Sequence, residues 1–450
     1  MTDTTSPSQD SPSQGTQYDG PGMADDPRLA ALFDRIDGYR DDLVALTQDL
    51  IRIPTVNPPG DAYTPCAELI GERLRKSGFS VEYLRAEGAI GDSDRYPRTN
   101  VVTRIEGRGP GDCVHFNSHI DVVRAGSGWT YDPFGGTVDH GRVYGRGACD
   151  MKGGLAASMI AVEAILKSGI DFNGAIELSG TVDEESGGYG GVAWLAEKGY
   201  FSKPRVDHVI MPEPLNPDRV CLGHRGVWWA EVETTGHIAH GCMPFLGVSA
   251  IRNMALFLDR MEREIYPRLD TRETVMPVVP EGARKSTLNY NSLHGGEEEG
   301  HDGLPSACVA DSCRLVLDRR FLIEENLDDV RAEVAAVLER LQAEHPDFQY
   351  RMREMFSVLP TMTDPQSPLV QALDLEIRRI LGKNASHVAS PGTYDQKHVT
   401  RIGHLHNCVA YGPGILDLAH QPDEWVGIDD LVASAKIMAA TTLRLTGSLG

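Results

Sequence analysis

Cys113-Val114-His115-Phe116-Asn117-Ser118-His119-Ile120-Asp121 begins as an apolar run and ends on a histidine and a carboxylate. A run of this kind suits a buried strand, and residues two apart on a strand point to the same face. Asp121 can therefore reach the ring edge of His119, where a carboxylate fixes the tautomer of a ligating imidazole and raises its basicity. The pattern recurs downstream. Ala175-Ile176-Glu177-Leu178-Ser179-Gly180 leads into Asp183-Glu184-Glu185, and Val209-Ile210-Met211 leads into Glu213. Between the first two lies Tyr144-Gly145-Arg146-Gly147-Ala148-Cys149-Asp150-Met151-Lys152-Gly153-Gly154, a glycine-rich turn that ends on Asp150 and opens a helix. Its spacing is not the phosphate-cradling Gly-x-x-x-x-Gly-Lys-Ser/Thr. Groups placed just beyond strand-like runs sit where an open α/β sheet presents its ligand crevice.

His119, Asp150, Glu185, Glu213 and His420 together have the chemistry of a two-metal hydrolytic centre. Two divalent ions against three carboxylates leave one positive charge for a hydroxide to neutralise, and bound metal lowers the pKa of water to about 7. Nitrogen and oxygen donors without thiolate suit zinc, cobalt or manganese, with zinc the default. Glu184 adjoins Glu185, and both cannot occupy one coordination position. A second glutamate beside an activated water is the natural general base. Taken singly, a His-x-Asp is usually a surface or capping pair, a Glu-Glu pair is usually solvated, and Cys149 reads as a buried neighbour rather than a nucleophile. The joint occurrence carries the site.

These stretches resemble the co-catalytic zinc aminoacylase and carboxypeptidase family that includes acetylornithine deacetylase, succinyl-diaminopimelate desuccinylase and carboxypeptidase G. The matching segments are Ser118-His119-Ile120-Asp121-Val122-Val123, Gly145-Arg146-Gly147 through Asp150-Met151-Lys152-Gly153-Gly154, Asp183-Glu184-Glu185, Glu213-Pro214, and Ala419-His420 followed by Asp423-Glu424. They run in the family's order from about residue 45 to the end. The resemblance implies that Asp150 bridges two ions, with His119 and Glu213 completing one and Glu185 and His420 the other. It also implies that Asp121 orients His119 and that Glu184 is the acid/base.

Composition sets looser bounds. A chain of 450 residues with 41% hydrophobic and 24% charged residues is ordinary globular material. Its net charge of −22 argues against nucleic acid or an anionic membrane surface as partner. The eight cysteines contain no Cys-x-x-Cys pair, a reduced and cytoplasmic pattern. No run of 18 apolar residues exists, so no transmembrane helix is expected. Residues 1–28 form a polar tail rich in Ser, Thr, Pro, Gln and Asp, without the layout of a signal peptide, and expected to be disordered. Met23 is an alternative start.

Apolar residues at helical spacing (Leu32, Ile36, Leu43, Leu46, Leu50) predict one helix over 29–53, stopped by Pro54. Strands are expected at 81–84, 100–105, 114–120, 175–179 and 208–211, and helices at 66–76, 154–167 and 191–198. This alternation predicts an α/β catalytic domain, a sheet flanked by helices on both faces, and the resemblance makes it zinc-exopeptidase-like with a mixed sheet. Near Gly223 the rhythm changes. Strands at 227–235, 314–321 and 349–356, helices at 248–263 and 327–343, and one further strand between 287 and 310 make the β-α-β-β-α-β order of a ferredoxin-like α+β module. The expected plan is a catalytic domain over 29–223 and 357–450, interrupted by a lid over 224–356. That insertion accounts for the long separation of Glu213 from His420.

The resemblance also suggests substrate contacts. His240, with His237 as the nearby competitor, matches a lid histidine that stabilises the tetrahedral intermediate, in cis or across a dimer. Arg320 matches a lid-strand arginine used on a substrate carboxylate, or it simply pairs with Asp318. Gly392-Thr393-Tyr394-Asp395-Gln396-Lys397 resembles a carboxylate-holding loop, in which Thr393 and Lys397 are the candidate contacts. The chain departs from the family at Asp302 before Gly303-Leu304-Pro305, at Pro391 and Tyr394, and in the acidic insertion 295–300. Asp302 would repel an acidic acyl tail, so neither named biosynthetic enzyme is supported as the identity. The expected activity is hydrolysis of the amide bond of a small N-acyl amino acid. The alternatives are a dipeptidase or carboxypeptidase of the same family and a non-catalytic binding member. A homodimer formed through the lid is the expected assembly.

Overall fold

The computed structural model describes residues 26–296 and 307–449. The polar tail up to residue 25, Met23, Asp302 with Gly303-Leu304-Pro305, and most of the acidic insertion lie outside the described residues.

The predicted helix over 29–53 is two helices, Pro27–Gly38 and Arg40–Ile51, with the break at Tyr39 (φ −91°, ψ 6°). Gly38, which costs a helix about 1 kcal/mol relative to alanine, ends the first helix, and the break at Tyr39 lets both apolar stripes reach the core. Leu29, Leu32 and Ile36 are buried on the first, and Leu43, Leu46 and Leu50 on the second. The other expected elements appear within a few residues of their predicted bounds, as strands Ser80–Arg85, Thr99–Glu106, Cys113–His119, Ala175–Thr181 and His208–Met211 and helices Tyr63–Lys76 and Gly153–Ser168. The segment expected as a helix over 191–198 keeps only the turn Trp194–Glu197 as α-helix.

Among the described residues nine strands form the large sheet. Along it run Ser80–Arg85, Thr99–Glu106, Ala175–Thr181, Cys113–His119, His208–Met211, Cys408–Ala410, Arg219–His224 and Thr361–Met362, with Ser386–Ser390 also pairing Arg219–His224. The sheet is mixed: Cys113–His119 is parallel to both neighbours, and Thr99–Glu106 is antiparallel to Ala175–Thr181. Every residue of Cys113–His119 is buried, because both faces are covered. Successive side chains alternate between two cores. Val114, Phe116, Ile176 and Ile210 meet the long helices Gly153–Ser168 and Ile428–Leu445, whereas Cys113, Val209 and Met211 join Phe201, Val206 and Tyr394 on the opposite side.

The lid is a separate four-stranded antiparallel sheet in the order Thr287–Gly295, Ser312–Phe321, Gly226–Thr235, Gln349–Val358. Thr287–Gly295 is the strand expected between 287 and 310. Helices Ala250–Glu264 and Leu327–Glu344 share a core with the sheet residues Trp228, Leu315 and Leu317. The chain leaves the large sheet at Arg219–His224 and re-enters it at Thr361–Met362, which pairs antiparallel with that same strand. Both connections therefore start from one edge of the catalytic sheet. No described helix is long and apolar enough to cross a membrane.

Candidate metal centre

Three adjacent parallel strands end at one place. His119 closes Cys113–His119 opposite Thr181, which closes the strand leading into Glu184 and Glu185. Phe116 pairs with Ile210, so the strand leading to Glu213 runs the same way on the other side. Parallel strands deliver their C-terminal residues to a single edge, and that edge is the crevice. Asp150 enters from the glycine-rich turn, in which Gly147 takes a left-handed φ of +86° that side chains disfavour.

The five predicted ligand residues meet there in two overlapping groups, each with donor atoms within 4.8 Å of one another. His119, Asp150 and Glu213 form one group, and Asp150, Glu185 and His420 the other. His119 Nε2 is 3.0 Å from Asp150 Oδ1 and 3.9 Å from Glu213 Oε2. His420 Nε2 lies 3.1 Å from Glu185 Oε2 and 3.4 Å from Asp150 Oδ2. Burial pushes the Glu185 carboxyl up to about 7 and that of Glu213 well above its usual range, with the Asp150 charge adding to both. Hydrogen bonds to Asp150 and Glu185 push the His420 imidazole up to about 10. Such crowded carboxylates call for positive charge. Three carboxylates and two imidazoles without thiolate fit divalent cations, so the donor set suits the metals expected from the sequence. Burial also raises the Cys149 thiol well above its usual range, and its Sγ is engaged by Ile415, as expected of a structural neighbour.

Asp121 reaches His119, though not as strand geometry predicts. The strand ends at His119, and the ring Nδ1 donates to the backbone carbonyl of Asp121 at 3.0 Å, with the carboxylate 3.6 Å away. That carboxylate accepts instead from the backbone N–H groups of Glu184 and Glu185 and from Asn57 Nδ2. One residue thus ties the His119 ring to the turn that carries both glutamates.

Other supports were not legible as such in the sequence. Glu424 accepts from the backbone N–H groups of Gly147, Cys149 and Asp150 at 2.9–3.1 Å and pairs with the buried Arg146 guanidinium. Arg146 Nη2 also donates to the His420 carbonyl. His420 sits at a left-handed φ of +64°, and this bond helps hold it there. Asp183, at φ +67° just before the two glutamates, is buried between Arg98 Nε (3.2 Å) and the Tyr63 hydroxyl (3.0 Å). The visible signals were Asp423-Glu424 beside His420 and an arginine between two glycines, but neither spacing names a partner.

A cavity of about 860 Å³ opens from the cluster between the catalytic sheet and the lid. Glu184, Thr393 and Lys397 line it, and Lys397 Nζ lies 3.8 Å from both Glu184 and Asp395. Arg320 and His240 do not line it. Arg320 is held by Asp318 at 2.6 and 2.9 Å, and both His240 and His237 are exposed in a lid loop.

Residues 115–444 match the family described as Peptidase family M20/M25/M40. The chain is 30% identical over 407 residues to succinyl-diaminopimelate desuccinylase of Pseudomonas fluorescens, covering 89% of this chain and 96% of the relative. It is 28% identical over 442 residues to N-formyl-4-amino-5-aminomethyl-2-methylpyrimidine deformylase of Bacillus subtilis, with 92% and 96% covered. Its fold is similar to that of an M20 family metallo-carboxypeptidase from Sulfolobus solfataricus, with a TM-score of 0.71, 19% identity, and 90% of this chain and 99% of that one covered.

Proposed function

The chain belongs to peptidase family M20/M25/M40, and from that membership we propose that it is a metal-dependent hydrolase cleaving the amide bond of a small N-acyl amino acid. The observation that carries this is the pair of three-donor groups sharing Asp150. His119, Asp150 and Glu213 would hold one divalent ion and Asp150, Glu185 and His420 a second, with zinc the first choice and cobalt or manganese able to serve. Two such ions supply Lewis-acid polarisation of the scissile carbonyl and lower the pKa of water to about 7.

Glu184 faces the cavity beside the cluster, from where its carboxylate takes the proton of the attacking water and returns it to the leaving amine. Asp121 keeps the His119 ring and the Glu184 turn in register. Thr393 and Lys397, on the cavity wall, receive the substrate carboxylate. His240 is the oxyanion donor and Arg320 a further carboxylate contact. Both need a lid movement or a partner subunit to reach the cleft, which agrees with a homodimer built through the inserted residues 224–356. The eight unpaired cysteines suit a cytoplasmic protein.

The test is primary-amine release from N-acetyl, N-succinyl, N-formyl and N-aminoacyl amino acids by zinc- or cobalt-loaded protein, with and without chelator. Chelator-sensitive release from N-acyl amino acids supports the proposal. Release only from dipeptides moves the activity to the peptidase side of the family. No release from protein carrying two metals per chain overturns the proposal.

A further inference from the structure

The cavity has two unlike halves. Around the cluster it is charged, through Asp150, Glu184, Glu185, Glu213, Lys397 and His420. The remainder of its wall carries no charged side chain among the described residues. Trp229, Met355 and Phe356 line it from the lid, and Leu215, Val279 and Val388 add further apolar surface. Val388 belongs to the core beneath the sheet, but part of this wall is left open rather than packed. Met355 keeps 43% and Val279 37% of its surface accessible. A cleft wall of this kind with few polar groups is how small-molecule sites bind apolar matter.

The lid sequence is arranged to make that wall. Glu354 opposes Ala230 and Phe356 opposes Trp229, so Met355 is an extra residue in the strand, a bulge. A bulge re-aims the side chains beyond it. Glu354 lies exposed on the helix side of the lid sheet, accepting from Trp228 Nε1 and Arg331, while Phe356 beyond the bulge packs tilted against Trp229 with ring centroids 4.9 Å apart. In unbroken alternation Phe356 would share the helix side with Glu354.

We propose that this wall is the specificity pocket for a large apolar group, aromatic or long aliphatic, on one side of the scissile amide. This rests on the amide-hydrolase reading above. A dicarboxylic acyl tail is disfavoured there. Its free carboxylate would leave water for an uncharged wall, and Lys397, the one lysine or arginine lining the cavity among the described residues, is already assigned to the carboxylate of the amino-acid side.

The experiment uses the full chain, zinc-loaded, and two matched series. One varies the acyl group on alanine (acetyl, succinyl, hexanoyl, phenylacetyl), and the other varies the amino acid under an acetyl group (alanine, leucine, phenylalanine, aspartate). In one series kcat/KM should rise at least about tenfold from the smallest to the large apolar member, as pocket-filling by methylenes provides. The charged member should fall below both. Trp229→Leu and Phe356→Leu should cut that apolar preference by about tenfold. Met355→Lys, at an exposed position that tolerates change, should shift the preference toward the charged member. A preference for the succinyl or aspartyl compound, or variants that lower all substrates equally, overturns the inference and leaves the hydrolase reading intact. If neither series is turned over, the hydrolase reading fails, and tryptophan fluorescence titrated with 4-phenylbutyrate and with succinate decides the pocket separately. Saturable quenching by 4-phenylbutyrate alone, lost in Trp229→Leu, supports it, and equal or absent response to both overturns it.

Discussion

Glu184 and Glu185 are neighbours in the chain with different surroundings. Both line the cavity, but Glu185 Oε2 lies 3.1 Å from His420 within one three-donor group, whereas Glu184 belongs to neither group and has Lys397 Nζ at 3.8 Å. Glu184→Gln should therefore retain two metals per chain and lose turnover by about 10²–10⁴-fold, the range for a general acid/base. Metal analysis alongside amine release checks this, and near-normal turnover would refute the role. His420→Ala should instead lower metal occupancy, and two full equivalents of metal in that variant would contradict the assignment. Glu424 acts one step back, on the backbone of the Asp150 turn. Glu424→Ala strands the buried Arg146 guanidinium, a loss of about 3–5 kcal/mol. Denaturant unfolding in chelator measures it, and a change below about 1 kcal/mol would show that the pair contributes no more than an ordinary hydrogen bond.

At the scale of elements, the site depends on how closely the helix Gly153–Ser168 approaches the strand end that carries Glu213. A Cβ on Gly154 would stand 1.9 Å from the backbone oxygen of Pro212. Neither partner is a flexible side chain, so Gly154→Ala must push the helix start from the Glu213 segment. Overpacking of this kind costs about 1–3 kcal/mol. The expected outcome is a lower melting temperature together with weaker metal retention on dialysis. An unchanged melting temperature with both metals retained would mean that the approach is not needed. The helix start was readable from Gly153-Gly154, but the reason for two glycines was not. It lies in a residue some sixty positions away that only the sheet brings near.

For the whole molecule, acid stability should carry the signature of buried neutral histidines. Burial lowers His224 to about 4 and His398 to about 3 from an ordinary 6.5, with the nearby Lys397 charge adding in both. Their folded pKa values are depressed, so their contribution is complete above about pH 6.5 and is lost as the pH falls through 4 and 3. His224 Nδ1 donates to the Arg225 carbonyl, a bond that asparagine can imitate without titrating. The stability difference between the native chain and His224→Asn should shrink steadily from pH 6.5 to 4 in thermal unfolding. Parallel curves would refute the assignment.

Period-two and helical patterning was enough to recover the α/β plan and the β-α-β-β-α-β insertion, and a histidine or acid after an apolar run marked His119, Glu185 and Glu213, while Asp150 was marked by its glycine-rich turn and His420 by the family resemblance at Ala419-His420. Those are local properties: which face a residue takes, and what chemistry it carries. Three things were decided by tertiary structure. The break at Tyr39 arises because two apolar stripes must meet one core. The contact of His119 with the Asp121 carbonyl rather than its carboxylate arises because the strand stops at His119, freeing the carboxylate to cap the Glu184-Glu185 turn. The tie between Glu424, Arg146 and the Asp150 turn joins segments more than 270 residues apart. Side-chain partners across such distances depend on remote strands pairing, here Trp425–Gly427 with Arg142–Tyr144, a property of the packed whole that no local pattern encodes.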